Sequence, residues 1–144
     1  MIDAKIIADS VSPADIRLTT LQLRYPRFIH SELMTHRMFS RNASSSRAIP
    51  VAKIIEQVRL DPATPVHWGQ NRPGMQAGTE LDGESLKKAQ WEWKAAALHA
   101  APSAECMAKQ RAHKQITNRL TEPFQHISVL VTATEWENFF ALRD

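Results

Sequence analysis

A chain of 144 residues in which 43% are hydrophobic and 23% are charged is typical of one folded domain, and this composition excludes a disordered chain. The formal net charge of +3 favours anionic partners without separating nucleotides from polynucleotides. A single cysteine, Cys106, excludes an internal disulfide and indicates a reducing compartment, and no apolar run is long enough for a membrane span or a signal peptide. We therefore expect one cytoplasmic domain over residues 1–144, without a membrane partner.

The first half of the chain predicts a strand followed by a helix. Residues 17–25 are rich in β-forming residues and are predicted to form the strand. One face of it would carry Thr19, Leu21, Leu23 and Tyr25. Pro26 suits the first turn of a helix, where its missing N–H costs no hydrogen bond, and we expect that helix to continue into the polar segment from residue 35. A short helix is predicted over residues 51–58, after Pro50.

The middle of the chain is irregular and rich in tryptophan. Proline and glycine recur through residues 61–83, and a loop of that length is usually functional or mobile. His67 and Trp68 lie inside it and are expected to anchor the loop to the domain. Trp91 and Trp93 are two residues apart and cannot share one helical face, so we expect one in the core and the other against a neighbour.

Two helices are predicted over residues 84–100 and 103–120. Pro102 would separate them, and Ser103 would be the N-cap of the second. Cys106 lies in an Ala-rich part of that second helix, so we interpret it as a structural residue.

A strand and a final helix are predicted near the end of the chain. Residues 124–132 contain a continuous Ile/Val/Leu run, which indicates a strand that is buried on both faces. Thr134 and Glu137 have the spacing of a capping box, and this pattern predicts the start of the last helix.

The most polar stretch is residues 35–47, which we call the motif segment. It combines arginine, histidine, serine and asparagine, and guanidinium and hydroxyl groups together suit phosphates. Composition alone leaves a solvated basic loop as an equal alternative.

The order of residues in the motif segment resembles the signature of the flavin-dependent thymidylate synthases, R-H-R-x-x-S-x-N-E-x-S-x-R. The matching residues are His36, Arg37, Ser40, Asn42, Ser45 and Arg47. The chain departs from the signature at Thr35 and Ala43, which remove one cation and one carboxylate.

Three further segments are similar to motifs of the same family. Residues 134–143 resemble N-F-L-x-L-R, and residues 118–123 resemble A-R-x-x-L-P with Arg119 and Pro123 in register. Residues 10–16 stand in the place of H-E-T-P-F-E-H and keep only Pro13, with Ser12 for the threonine. The family's folate-side histidine and two flavin contacts fall at Ser10, Thr132 and Thr134. Since the family usually continues beyond Asp144, the resemblance implies a short, phage-like member, acting in the host cytoplasm if phage-encoded, or a truncated one.

The resemblance implies an α+β fold, with a mixed, mainly antiparallel sheet flanked by helices. It also implies a homotetramer with active sites shared between subunits. The implied reaction is reductive methylation of dUMP to dTMP, in which methylenetetrahydrofolate gives the carbon, FAD carries the hydride and NADPH is the reductant. No metal site is implied.

The resemblance also implies roles for individual residues. The FAD contacts would be Ser12, His36, Arg37 and Asn138, and the dUMP contacts would be Glu32, Ser44, Ser45, Arg47, Arg119 and Arg143. Arg143 would be catalytic, since a fixed cation at the uracil favours its ionised form. Alternatively, Arg119 and Arg143 complement helix dipoles, and Glu32 is a surface charge.

Two other functions remain open. A flavin-dependent pyrimidine nucleotide hydroxymethylase would use the same substrate and cofactors, and nothing in the residues separates it from a methylase. A non-catalytic nucleotide- or nucleic-acid-binding module would reuse the basic loop. Nucleic acid is disfavoured as a partner, because the aromatic residues are not interleaved with the basic ones.

Overall fold

One antiparallel sheet of four strands organises the fold. The computed structural model describes residues 1–142, and there the strands lie in the order β1-β2-β4-β3. Their bounds are β1 (Asp3–Val11), β2 (Arg17–Pro26), β3 (Ser40–Ala43) and β4 (His126–Ala133). The expected α+β class with an antiparallel sheet is confirmed, as are the strands predicted over residues 17–25 and 124–132, although β4 starts two residues later than predicted. Neither β1 nor β3 is predicted from the sequence.

Residues 1–142 also contain five helices and two 3-10 turns. They are α1 (His30–Leu33), α2 (Val51–Leu60), α3 (Gly83–Lys109), α4 (Lys114–Thr117) and α5 (Glu137–Ala141), with the turns at Arg27–Ile29 and Asn118–Phe124. No helix within residues 1–142 is long and apolar enough to cross a membrane.

The helix predicted after Pro26 is much shorter than expected. It ends at Leu33 because side chains take the carbonyl groups that a longer helix would use: the Thr35 hydroxyl donates to the Glu32 carbonyl at 2.7 Å, and Arg41 Nη1 donates to the Leu33 carbonyl at 3.0 Å.

The break predicted at Pro102 is wrong, because α3 runs through it. Ala97, Ala101 and Ala104 are buried on one side of α3 against α2, and this packing outweighs the one hydrogen bond that proline removes. Ser103 is therefore no N-cap, and its hydroxyl donates to the His99 carbonyl at 3.0 Å. Cys106 lies in α3 as predicted, away from the alanine stripe, and it is exposed.

Two apolar clusters form the core. One covers a single face of the sheet and contains Tyr25, Leu33, Phe39, Ile127, Val129, Val131 and Ala133. The other joins α2 and α3 to the second 3-10 turn through Phe124. Since the helices pack on this turn, β4 alternates between buried and more accessible residues, and the predicted burial of both its faces is wrong.

The irregular segment over residues 61–83 is held down by tryptophan. Trp68 packs edge-on against Trp93 with ring centroids 6.1 Å apart, and Trp93 Nε1 donates to the Ala63 carbonyl at 2.9 Å. Trp68 therefore anchors this loop, as expected, with Trp93 as its partner. The same expectation for His67 is wrong, because its side chain is exposed, and Trp91 is exposed as well.

The capping box predicted at Thr134 does not form. The last helix begins at Glu137, with Trp136 at the N-cap position and no capping side chain. The Trp136 ring packs on the buried Phe39 ring at 4.8 Å, and this contact holds the chain on the core before the helix starts.

Candidate functional site

Two segments that are far apart in sequence line one cleft of about 570 Å³, which we call the aromatic cleft. Its lining residues are Thr35, His36, Arg37, Met38, Phe39, Thr134, Glu135, Trp136, Glu137, Asn138 and Phe139. Three of the four predicted FAD contacts, His36, Arg37 and Asn138, thus lie in one cavity.

Strand register explains why these segments meet. Ser40, the first residue of β3, pairs with Thr132 near the end of β4. The chain just before β3 and the chain just after β4 therefore leave the sheet at the same end, and both turn over the apolar face.

Aromatic rings form the walls of the cleft. The His36 ring stacks on the Phe39 ring at 5.8 Å, with the two planes inclined by 28°, and meets the Phe139 ring edge-on at 5.1 Å. Phe39 also contacts the rings of Trp136 at 4.8 Å and Phe139 at 5.1 Å. Rings that hold one another in this way present rigid, flat surfaces, which are suited to stacking against a planar heterocycle.

The charges of the cleft are few and mixed. Arg37 is exposed and makes no ion pair within residues 1–142, whereas Glu135 and Glu137 bring two carboxylates to the opposite wall. Thr35 is uncharged, and its hydroxyl donates to the Glu32 carbonyl at the end of α1. The cleft can therefore hold one anionic group at Arg37 but does not neutralise a doubly charged one.

The predicted phosphate contacts lie at the other end of β3. The Ser44 hydroxyl accepts from the Ser128 N–H at 3.3 Å, and the Ser45 hydroxyl accepts from the Arg47 N–H at 3.2 Å. Arg47 Nη2 donates to Gln115 Oε1 at 2.9 Å, and both Ser45 and Arg47 are exposed. Because β3 pairs Ser40 with Thr132 and Ala43 with Val129, the strand separates this loop from the aromatic cleft by roughly 10 Å.

Arg119 and Glu32 lie in two further pockets. Arg119 borders a shallow groove of about 360 Å³ with Arg27 and Phe28, and its Nη1 is 3.8 Å from Glu122 Oε2. Glu32 borders a pocket of about 210 Å³ that shares Phe139 with the aromatic cleft.

The remaining predicted site residues are Ser12, predicted to contact FAD, and Arg143, predicted to be catalytic. Ser12 lies in the turn between β1 and β2, where its hydroxyl accepts from the N–H groups of Ala14 and Ile16 at 3.3 and 3.2 Å. The register places this turn at the same end of the sheet as the aromatic cleft, but Ser12 does not line the cleft. Arg143 lies outside the described residues.

A hydrogen-bonded pair beside the Glu32 pocket, formed by the buried Tyr25 and the partly buried His30, has no charge near neutral pH. The Tyr25 hydroxyl and His30 Nδ1 are 2.7 Å apart. Burial raises the pKa of Tyr25 to about 12, and burial together with Arg27 and Arg41 lowers the pKa of His30. The pair is therefore a neutral, hydrogen-bonded part of the core. No cluster of three or more His, Cys, Asp or Glu side chains suited to a metal ion occurs within residues 1–142.

The aromatic residues Phe39, Trp136 and Phe139 line the cleft but were not predicted as site residues. The only signal was their position, since each of them adjoins or closely follows a motif residue. The buried polar residues Asn118, Thr121 and Gln125 were missed as well, because nothing in the sequence distinguishes them from surface residues.

Comparisons with known proteins support the fold. Neither a known protein family nor a curated protein matches the sequence. Among solved structures, the fold is similar to that of a UMP/dUMP methylase, PolB from Streptomyces cacaoi, bound with 5-Br UMP, with a TM-score of 0.74 and 14% identity over 93% of this chain and 72% of that one. The same protein bound with 5-Br dUMP gives a TM-score of 0.71 at 14% identity, covering 93% and 73% of the two chains.

Proposed function

We propose that this protein converts dUMP to dTMP by reductive methylation, with methylenetetrahydrofolate as carbon donor, FAD as hydride carrier and NADPH as reductant. The observation that carries the proposal is the aromatic cleft, in which His36, Arg37 and Asn138 converge from two distant segments. The similarity in fold to a methylase of UMP and dUMP supports the choice of substrate.

The residues of the cleft fit a flavin. The ring faces of His36 and Phe139 match a planar heterocycle, Arg37 matches one phosphate of a pyrophosphate, and the Asn138 carboxamide offers both a donor and an acceptor. When bound there, FAD would supply the two-electron reduction that turns a methylene group into a methyl group. The aromatic walls would orient the ring and keep water from one of its faces.

The loop of Ser44, Ser45 and Arg47 would hold the dUMP phosphate. Ser45 and Arg47 are exposed, and their hydroxyl and guanidinium groups suit an anionic oxygen ligand. Arg119 and Glu32 would contact the nucleoside, and Arg143 would favour the ionised, electron-rich uracil.

A titration of FAD into the purified protein tests the proposal. We expect binding, a visible flavin absorption band, and an affinity that is at least tenfold weaker in Arg37→Ala, since a charge-assisted contact is lost. Arg72→Ala is the matched control, because Arg72 is an exposed arginine on the irregular segment that lies away from the cleft. Absence of FAD binding to the unmutated protein would refute the proposal.

The mass of the product formed from dUMP decides the reaction. A methyl product is expected, whereas a hydroxymethyl product would assign the hydroxymethylase reaction to the same site. Flavin-independent binding of polynucleotides with a steep salt dependence would instead indicate the non-catalytic module.

We also propose that the active protein is a homotetramer whose sites combine residues of different subunits. All nine residues of β1 are exposed, and this edge strand presents Ile6 and Val11 to solvent at 66% and 59% exposure. An edge strand with exposed apolar side chains is suited to association with another chain. A second copy would also bring the cation that the aromatic cleft needs for a doubly charged pyrophosphate.

Subunit mixing tests the shared site. At low concentrations of dUMP and FAD, Arg37→Ala and Arg47→Ala are each expected to turn over slowly as pure proteins, because the first binds FAD weakly and the second binds dUMP weakly. A mixed oligomer of the two should regain activity under the same conditions, because some sites receive both intact arginines. A stable monomer with full activity at micromolar concentration would contradict the shared site.

A further inference from the structure

The phosphate loop, residues 44–49, depends on the turn that carries Arg119. Within the loop the backbone bonds are few: the Ser44 N–H donates to the Ser128 carbonyl at 2.9 Å, and the Ala48 N–H donates to the Ser45 carbonyl at 3.0 Å. The contacts that fix the remainder of the loop come from residues 114–118.

Asn118 makes the central contact. Its Nδ2 donates to the Ser46 carbonyl at 2.7 Å and to the Ile49 carbonyl at 3.1 Å, so both N–H groups of the carboxamide are used on the phosphate loop. The two carbonyls lie on either side of Arg47, and one buried amide therefore fixes the backbone that carries this guanidinium.

Two other buried side chains hold Asn118 itself. Its backbone carbonyl accepts from Gln125 Nε2 at 2.7 Å and from the Thr121 hydroxyl at 3.1 Å. Asn118 and Thr121 are fully buried, and Gln125 is 1% exposed. A hydrogen bond inside the protein is stronger than one in water, so this network is rigid.

Packing alone does not explain an asparagine at this position. Asn118 Oδ1 is buried and has no hydrogen-bond partner within residues 1–142, and an unpaired buried carbonyl is destabilising compared with an apolar side chain. The motif that this turn resembles has alanine here. The two bonds to the phosphate loop are what the carboxamide provides.

The Arg47 side chain is aligned from α4, the helix that directly precedes this turn. Gln115 Oε1 accepts from Arg47 Nη2 at 2.9 Å, and Lys114 Nζ donates to the Ala48 carbonyl at 3.4 Å.

We propose that Asn118 is a positioning residue for the nucleotide phosphate: it fixes the backbone on both sides of Arg47 through a buried carboxamide. This inference rests on the proposed function in so far as the phosphate loop binds dUMP. Asn118 touches no substrate, and it acts through Arg47 and the adjacent serines.

The test compares Asn118→Ala with Thr121→Val, which weakens the same buried network but removes no contact to the phosphate loop. For Asn118→Ala we expect the KM for dUMP to rise about tenfold or more, with kcat within about twofold, because the phosphate does not change during the reaction. FAD affinity should stay unchanged, and amide hydrogen exchange in residues 44–49 should become faster. Thr121→Val should lower thermal stability and leave the KM for dUMP unchanged.

Equal KM values in Asn118→Ala and the unmutated protein would overturn the proposal and make Asn118 purely structural. If the unmutated protein binds no dUMP, the proposed function fails, and hydrogen exchange still decides the role of Asn118: unchanged exchange in residues 44–49 overturns it. If Asn118→Ala does not fold, Asn118→Leu replaces it, because leucine fills the buried position without an unpaired carbonyl and still removes both bonds to the phosphate loop. The same rise in the KM for dUMP at unchanged kcat is expected, and an unchanged KM would refute the proposal.

Discussion

Removing the Phe139 ring should open the aromatic cleft and weaken flavin binding. Phe139 contacts the rings of His36 and Phe39, each at 5.1 Å, and it lies between the cleft and the Glu32 pocket. It is half-buried, so Phe139→Ala should cost less stability than the 3–5 kcal/mol typical of a fully buried phenylalanine; we expect about 2 kcal/mol.

The expected loss of affinity follows from the same contacts. Stacking of a heterocycle on an aromatic side chain is worth about 1–3 kcal/mol, so the dissociation constant for FAD should rise roughly tenfold or more. Flavin fluorescence measures this constant, and urea unfolding measures the stability of the same preparations.

Phe140→Ala is the matched control. Phe140 is the next residue on α5, is 53% exposed, and does not line the cleft. It should leave FAD affinity within about twofold, because its exposed ring touches Phe139 and Trp136 from outside and does not itself face the cleft. If the two variants weaken FAD binding equally, the cleft is not the flavin site.

Three further predictions concern charged groups. Arg143→Ala should lower kcat by about a hundredfold, and Arg143→Lys should remain strongly impaired, since lysine keeps the charge but not the planar fork of the guanidinium. Steady-state turnover of dUMP measures both variants, and turnover at the unmutated rate would contradict the catalytic role of Arg143. Arg47→Ala should raise the KM for dUMP with little change in kcat, and a selective fall in kcat would show that Arg47 acts on the reacting ring. Burial, with Arg24 close by, lowers the pKa of His126 to about 4, so below pH 6.5 the unfolded chain binds a proton that the folded protein excludes. The free energy of unfolding in urea should therefore fall by about 2 kcal/mol as the pH drops from 7 to 4, and His126→Gln should lack this component.

The local sequence pattern correctly predicted those helices and strands whose tertiary contacts favour the same structure as the pattern does. The β-forming residues of β2 and the short helix after Pro50 occur where predicted. The Ile/Val/Leu run of β4 identified a strand but not its one-sided burial, because an apolar side chain does not reveal what covers it. The continuity of α3 through Pro102 depends on contacts between its alanines and α2, which a local rule about proline cannot include.

The candidate site was predictable only in part for a related reason. The motif residues could be identified by order, but their convergence depends on the pairing of Ser40 with Thr132, which is a tertiary fact. The aromatic walls and the buried Asn118 carboxamide have no sequence signature, because their role arises from the partners that the fold gives them.

The position of β3 supports the proposal that the site is shared between subunits. This strand carries the predicted flavin residues before its first residue and the predicted phosphate residues after its last, so one subunit holds the two sets at opposite ends of a rigid element. In the proposed arrangement, a cleft from one subunit and a phosphate loop from another form one site, so the fixed length of β3 does not set the distance between flavin and nucleotide. The exposed β1 edge strand offers a surface suited to the association of a second copy.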